Sequence, residues 1–409
     1  MPDFLPFPGT RYRNASDSSS VVAPPYDVID EEERAQLEAA DPHNAVRLIL
    51  PHAEPPTDPY QQAAATLQRW LDDGTLACDP APAFYLYRMQ FADETGTDRR
   101  AVGVIGALTL PRGEGEAVFP HEQTLPKARR DRLQLLRATR TNLDPIWCLS
   151  LAEELTPALD GADAPAATAV DRDGTTHELV PVLDRSRIDA IRAQVADAPL
   201  VLADGHHRFE TAVTYRGEHP DDQPASAIMT FVVPLDEAML DVRAIHRLIH
   251  TAPTDLRASL APDVEVEPFG PNTDAGVDEL QRAMRTREAL GLVDHEGLAL
   301  LHLTPAALDT VRDTQPSELV GVDAARFDTA IRPRLSGDLS YRDDARSVAS
   351  IVTKGGADAA VLLRPVTVDQ IRAAAFAHIR MPAKTTFFWP KPRTGMVFRR
   401  FDDDPTGTG

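Results

Sequence analysis

Cysteine is nearly absent. Cys78 and Cys148 are the two in 409 residues, so neither a disulfide framework nor a four-thiolate zinc site can be built. Basic charge is short as well: 42 Lys and Arg stand against 63 Asp and Glu, a net of −21. That balance argues against a protein that coats nucleic acid or anionic lipid, because phosphates are held mainly by surplus Lys and Arg. No apolar run approaches the roughly 18 residues of a membrane span. The opening MPDFLPFPGTRYRN has no signal-peptide apolar stretch. The expectation is a cytoplasmic chain with no nucleic-acid and no membrane partner. Repeats of fixed period and low-complexity tracts are also missing. What is present is ordinary globular material, 43% hydrophobic and 26% charged, long enough for two compact domains.

Thirty-five prolines and 22 glycines break the chain into short elements. Apolar spacing predicts strands at 45–50, 84–91, 101–110, 145–152 and 199–203, and a hairpin near 169–182. It predicts helices at 58–74, 127–141 and 185–196, and another beginning at His206. Beyond residue 250, helices at 275–289, 322–333, 343–353 and 367–379 alternate with strands at 298–303 and 359–365. The expected class is α+β with mixed sheets. The expected organisation is an N-terminal domain over 1–250, a C-terminal α/β domain over 251–400, and a disordered tail over 401–409.

The strongest local signal is LADGHHRFETA at 202–212. A strand ends, Asp204-Gly205 makes a tight turn, and a helix opens with His206, His207 and Arg208. Backbone N–H groups at a helix start, with Arg and His beside them, suit a phosphate. Gly205 lets the backbone approach a ligand closely. Glu210 shares a helix face with both histidines. A plain capped helix and a metal site of His206, His207 and Glu210 are the competing readings. The adjacent spacing of the histidines differs from the usual zinc helix.

Four segments carry a resemblance together: APPYDVI at 23–29, HEQTLPKARRDRLQLLRATRTNLDPIW at 121–147, ADGHHRFETA at 203–212 and MPAKTTFFWPK at 381–391. Their order and spacing resemble the bacterial and archaeal domain-of-unknown-function family DUF1015. DPHNAVRLILP (41–51) and HRLIH (246–250) extend the likeness over nearly the whole chain. The Asp-Gly-His-His-Arg turn is also similar to the phosphate-binding box of the ParB/sulfiredoxin superfamily, whose members include kinases of free serine. That resemblance implies a phosphate-binding strand–turn–helix. The chain departs from the family pattern at Ala383, at Thr385 where Ser is usual, and in AHIR (377–380).

Through the resemblance, Gly205, His206, His207, Arg208, Lys127, Arg132, Lys384 and Thr385 are expected to bind phosphate. Tyr26, Asp27, His121 and Glu210 are expected to line a substrate pocket. Pro24 and Pro25 stiffen the chain before Tyr26. Glu122, Asp204 and His206 are the catalytic candidates. Glu122 is favoured as the base, and Asp204, with Asp131, as a ligand of Mg²⁺. The implied function is phosphoryl transfer to the hydroxyl of a small metabolite, free L-serine first, from ATP, ADP or pyrophosphate. Hydrolysis of pyrophosphate or a phosphomonoester at the same site is the alternative enzyme. A non-catalytic nucleotide-binding regulator is the alternative of a different class. The oligomeric state stays open.

Overall fold

The computed structural model describes residues 3–13, 16–53, 56–93, 96–111, 118–120, 126–152, 154–161 and 163–404, with backbone alone at 118–120 and 126–128. All counts below refer to these residues. The chain forms two compact units. The first takes Met1–Pro120, Thr124–Asp241 and Pro390–Gly409, and the second contains Val242–Trp389. The division therefore falls near 241 and again near 390, where the sequence suggested a single cut near 251.

The first unit is built on a nine-stranded mixed sheet. Its strands are β1 (Phe4–Leu5), β2 (Phe84–Ala92), β3 (Asp98–Thr109), β4 (Val118–Pro120), β5 (Ile146–Ser150), β6 (Ala167–Val170), β7 (Thr176–Val182), β8 (Leu200–Asp204) and β9 (Ala227–Pro234). They run in the order β4-β8-β5-β9-β3-β2-β7-β6, with β1 beside β3. The pairs β8–β4 and β9–β5 are parallel and the others antiparallel. Near-continuous burial of β5 and β9 explains their unbroken apolar sequences, IWCLS and AIMTFVVP.

Seven helices belong to this unit: α1 (Glu31–Ala40), α2 (Val46–Ile49), α3 (Pro59–Asp72), α4 (Pro126–Thr139), α5 (Leu155–Leu159), α6 (Arg185–Asp197) and α7 (His206–Glu218). Ile191 and Val195 of α6 and Phe209 and Ala212 of α7 pack into one core with Leu86, Val104, Ile146 and Leu202 of the sheet. A second core joins Val46, Leu48 and Ile49 to Leu67 and Trp70 of α3 and Leu135 of α4.

Two expectations are corrected here. Residues 45–50 are expected as a strand but contain the short helix α2. The Asn44 side chain accepts from Val46 N (2.9 Å) and donates to the carbonyls of Ser20 and Val22. This closes a helical turn in a run too short for periodicity to type. The tail is ordered through residue 404. Arg399 and Arg400 pair with Thr141 and Asn142, and a 3₁₀ turn spans Phe401–Asp403. Arg399 and Asp404 form an ion pair at 2.5 Å with both side chains fully buried. A buried guanidinium requires such a carboxylate, and it anchors the end of the chain. Residues 405–409 lie outside the described residues.

The second unit holds a six-stranded sheet of β10 (His246–Ile249), β11 (Val264–Gly270), β12 (Leu290–Asp294), β13 (Gly297–Leu303), β14 (Leu339–Arg342) and β15 (Ala359–Leu362), in the order β11-β13-β12-β15-β10-β14. The helices Asp274–Arg287 and Ala345–Thr353 cover it through Val277, Leu280, Met284 and Val348. The predicted helix over 322–333 is broken into Asp323–Arg326, a π turn at Phe327–Ile331 and a 3₁₀ turn at Arg332–Arg334.

Candidate functional site

Strand β8 delivers Asp204 through an irregularity. Leu202 faces Cys148 of β5, but Asp204 faces Trp147, so the register shifts between them. A bulge of this kind re-aims a side chain at the end of a strand. Gly205 follows with φ +92° and ψ +27°, a left-handed conformation, and caps α7. A Cβ at this position would stand 2.9 Å from Ile146 Cγ2 and 3.1 Å from the Arg208 guanidinium. Glycine is required there on both counts.

From the first turn of α7, Arg208 folds back over the glycine. It donates to the Pro145 carbonyl (2.5 Å) and to Asp204 Oδ2 (2.7 Å). The other Asp204 oxygen accepts from Lys391 Nζ. Burial alone raises the Asp204 carboxyl, but Lys391, Arg208 and nearby His206 outweigh it and hold the group far below the usual carboxylate range. Burial likewise opposes the charge on Arg208, yet Asp204, Asp144, Asp27 and Tyr26 raise its pKa.

The Pro-Pro-Tyr-Asp segment reaches the same cluster. The Arg132 guanidinium of α4 lies 4.1 Å from the Tyr26 ring centroid, a cation–π contact. Burial, then the Asp27 charge, push the Tyr26 hydroxyl up to about 12, against Arg208 and Arg132. Asp144 is buried beside them. Burial lifts its carboxyl to about 6 although Arg208 and Arg132 pull it down, and it accepts from Thr394 Oγ1. A cavity of about 50 Å³ lies between Arg132, Asp144 and Arg208, floored by Leu135, Leu136 and Ile228. That is space for a water or two.

The predicted residues divide clearly. Tyr26, Asp27, Arg132, Asp204, Gly205, His206 and Arg208 come together in the first unit. Arg132 is engaged structurally, donating to Asp131 Oδ2 and to the Ile49 carbonyl at 2.7 Å. Asp131 also accepts from the Tyr60 hydroxyl (2.8 Å), so it braces α3 against α4. Glu210 pairs with Arg129 at 3.3 Å, and His207 is half-buried. His121, Glu122 and Thr124 lie outside the described residues, as does the side chain of Lys127. Lys384 and Thr385 belong to the second unit. There Thr385 is buried and its hydroxyl donates to the Pro382 carbonyl (2.5 Å), while Lys384 is exposed at φ +58° and its carbonyl accepts from Arg247.

The described residues do not make a magnesium site by themselves. Both Asp204 oxygens already meet cations, and Asp131 is committed to Tyr60 and Arg132. Among the described residues no group of three or more His, Cys, Asp or Glu is placed to hold a metal ion. Sequence reasoning passed over Asp144, Thr394 and Arg393. Their one visible signal is proline nearby, in LDP (143–145) and in WPKPRT (389–394).

A mixed α+β protein with a strand–turn–helix whose last strand residue, Asp204, meets two cations is thus the class that fold and site define. The chain belongs to the family described as Protein of unknown function (DUF1015), whose model matches residues 4–324. No curated protein matches it by sequence. Among solved structures, a mutant free serine kinase in complex with ADP is similar with TM-score 0.36 and 11% identity, covering 66% of this chain and 84% of that one. A conserved hypothetical protein from Pyrococcus furiosus gives 0.35 and 13%, over 70% and 93% of the two chains. C-terminally truncated SbnI from Staphylococcus aureus gives 0.35 and 12%, over 72% and 86%. These likenesses are remote and decide neither substrate nor reaction. No helix among the described residues is long and apolar enough to cross a membrane.

Proposed function

We propose that the chain transfers a phosphoryl group from a nucleotide or pyrophosphate donor to the hydroxyl of a small metabolite, with free L-serine the first acceptor to test. The observation that carries this reading is the turn at 204–208. A left-handed glycine opens a helix, and the cations Arg208, from the first turn, and Lys391 converge on Asp204, the residue before that glycine. Helix-start N–H groups and a guanidinium are the donors that a phosphate accepts from. The likeness of ADGHHR to the phosphate box of the ParB/sulfiredoxin superfamily supports the same reading.

In the reaction, the acceptor oxygen bonds to phosphorus, the bond to the leaving phosphate or nucleotide breaks, and the hydroxyl proton passes to a base. Asp204, held deprotonated far into the acid range, is too weak a base for that proton near pH 7. Its suitable task is to hold Arg208 and Lys391 in place, and Glu122 stays the proposed base. Charge developing on the transferred group would fall beside the two cations.

The test is to incubate the purified chain with L-serine and, separately, ATP, ADP or pyrophosphate, and to follow products by ³¹P NMR. Serine-dependent phosphoserine is the expected product. Donor consumed equally without serine would identify the hydrolase. Donor bound but never consumed would identify the regulator.

A further inference from the structure

The motif DPHNAVRLILP has a use that the turn at 204–208 does not absorb. Asn44 serves the backbone, but His43 and Arg47 line a separate cleft of about 440 Å³ in the first unit. Arg69, Gln62 and Thr66, on one face of α3, form the facing wall. In a chain of net charge −21, a spare guanidinium is informative. Arg47 donates from one terminal nitrogen to the Glu38 carbonyl (2.7 Å), while its Nε is buried with no hydrogen-bond partner. Arg69 donates to the Thr66 hydroxyl at 2.8 Å. Among the described residues neither arginine forms an ion pair.

The two carboxylates lining the cleft have their hydrogen bonds to other residues, although Asp73 lies close enough to Arg69 and His43 to feel their charge. Glu38 accepts from Arg34 at 3.2 Å, and Asp73 accepts from Thr75 N at 2.9 Å. Two imidazoles, His43 and His52, complete the rim. A guanidinium fork matches carboxylate or phosphate oxygens in pairs, and with the Arg47 Nε sealed from solvent its terminal nitrogens are the donors left to a ligand. The volume is that of a small-metabolite pocket.

We propose that this cleft is a second ligand site, for a small polyanionic metabolite whose carboxylate or phosphate groups are gripped by Arg47 and Arg69. It is independent of the phosphoryl-transfer reading. Pyrophosphate and citrate are the probes, titrated calorimetrically at matched ionic strength into the full chain. An Arg208→Ala background weakens any anion binding at the 204–208 turn, and the Arg69→Gln change assigns what remains to the cleft. The expectation is that one or both probes bind, and that Arg47→Gln and Arg69→Gln each weaken that binding about tenfold or more. Arg69 is exposed, so its variant serves even where the Arg47 variant folds poorly. Absence of binding by both probes, or binding unchanged in the folded Arg69→Gln chain, overturns the site. Pyrophosphate binding alone marks a phosphate ligand and citrate binding alone a carboxylate.

Discussion

Lys391 and Asp204, 187 positions apart in the sequence, form an ion pair in which the lysine side chain keeps 10% of its exposure and the aspartate 18%. Lys391 begins a short strap. Two residues on, Arg393 binds Asp171 and its backbone N–H donates to the Tyr87 hydroxyl. Thr394 then binds Asp144 and bridges to Ala23. One segment thus engages three buried or half-buried carboxylates, two of them at the candidate site.

Lys391→Met removes one of the two cations on Asp204 and leaves a mostly buried charge with Arg208 alone. Urea unfolding should register a loss of about 3 kcal/mol. Adding Asp204→Asn should cost much less than the sum of the two single changes, since the pair acts as a unit. Full additivity would mean that the pair contributes nothing to stability.

The acid dependence of stability should carry two slopes of opposite sign. Asp204 titrates lower folded than unfolded, where Asp has a pKa of about 3.9. The unfolded chain therefore takes up the proton first on acidification, and the contribution of Asp204 is complete at neutral pH and lost below about pH 4. Asp144 titrates higher folded, at about 6. The folded chain then holds the extra proton, and stability falls as pH rises from about 4 to about 6. Asp144→Asn should abolish the second slope and keep the first, as followed by denaturant midpoints across that range.

Gly205→Ala puts a side chain at φ +92° against Ile146 and the Arg208 guanidinium. The left-handed conformation alone costs roughly 1–2 kcal/mol. The crowding should add to this and displace Arg208. Thermal melting and donor titration should both shift, and a neutral result would place the turn in a different conformation.

Arg208→Ala should weaken donor binding by ~1.5–3 kcal/mol, the usual worth of a hydrogen bond to a charged group. Calorimetry on the folded variant reads it. Unchanged affinity would move the phosphate away from the turn.

Glu122→Gln keeps size and loses basicity. If Glu122 is the base, kcat should fall by roughly 10²–10⁴ with donor affinity nearly intact. Asp204→Asn should instead loosen Arg208 and Lys391 and act mainly on donor affinity. Near-normal turnover in the first variant with none in the second would reverse the two roles.

Sequence by itself determined what short-range physics controls. Amphipathic spacing located α3, α4 and α6, and the Asp-Gly step located the end of β8 and the start of α7, because a left-handed turn leaves few residue choices. Where local signals were short or absent, tertiary context decided. Residues 46–49 became helical because Asn44 ties them to Ser20 and Val22. The expected tail is held through Asp404 because a buried Arg399 needs a carboxylate. Nothing local marks Lys391 as the partner of Asp204, or Asp144 as a buried acid beside Arg208. Those pairings, 187 residues apart for Lys391 and Asp204 and 64 for Asp144 and Arg208, are made by sheet order and by a returning C-terminal segment, and no periodicity encodes them. Burial then sets the charge state of each group by removing water from around it.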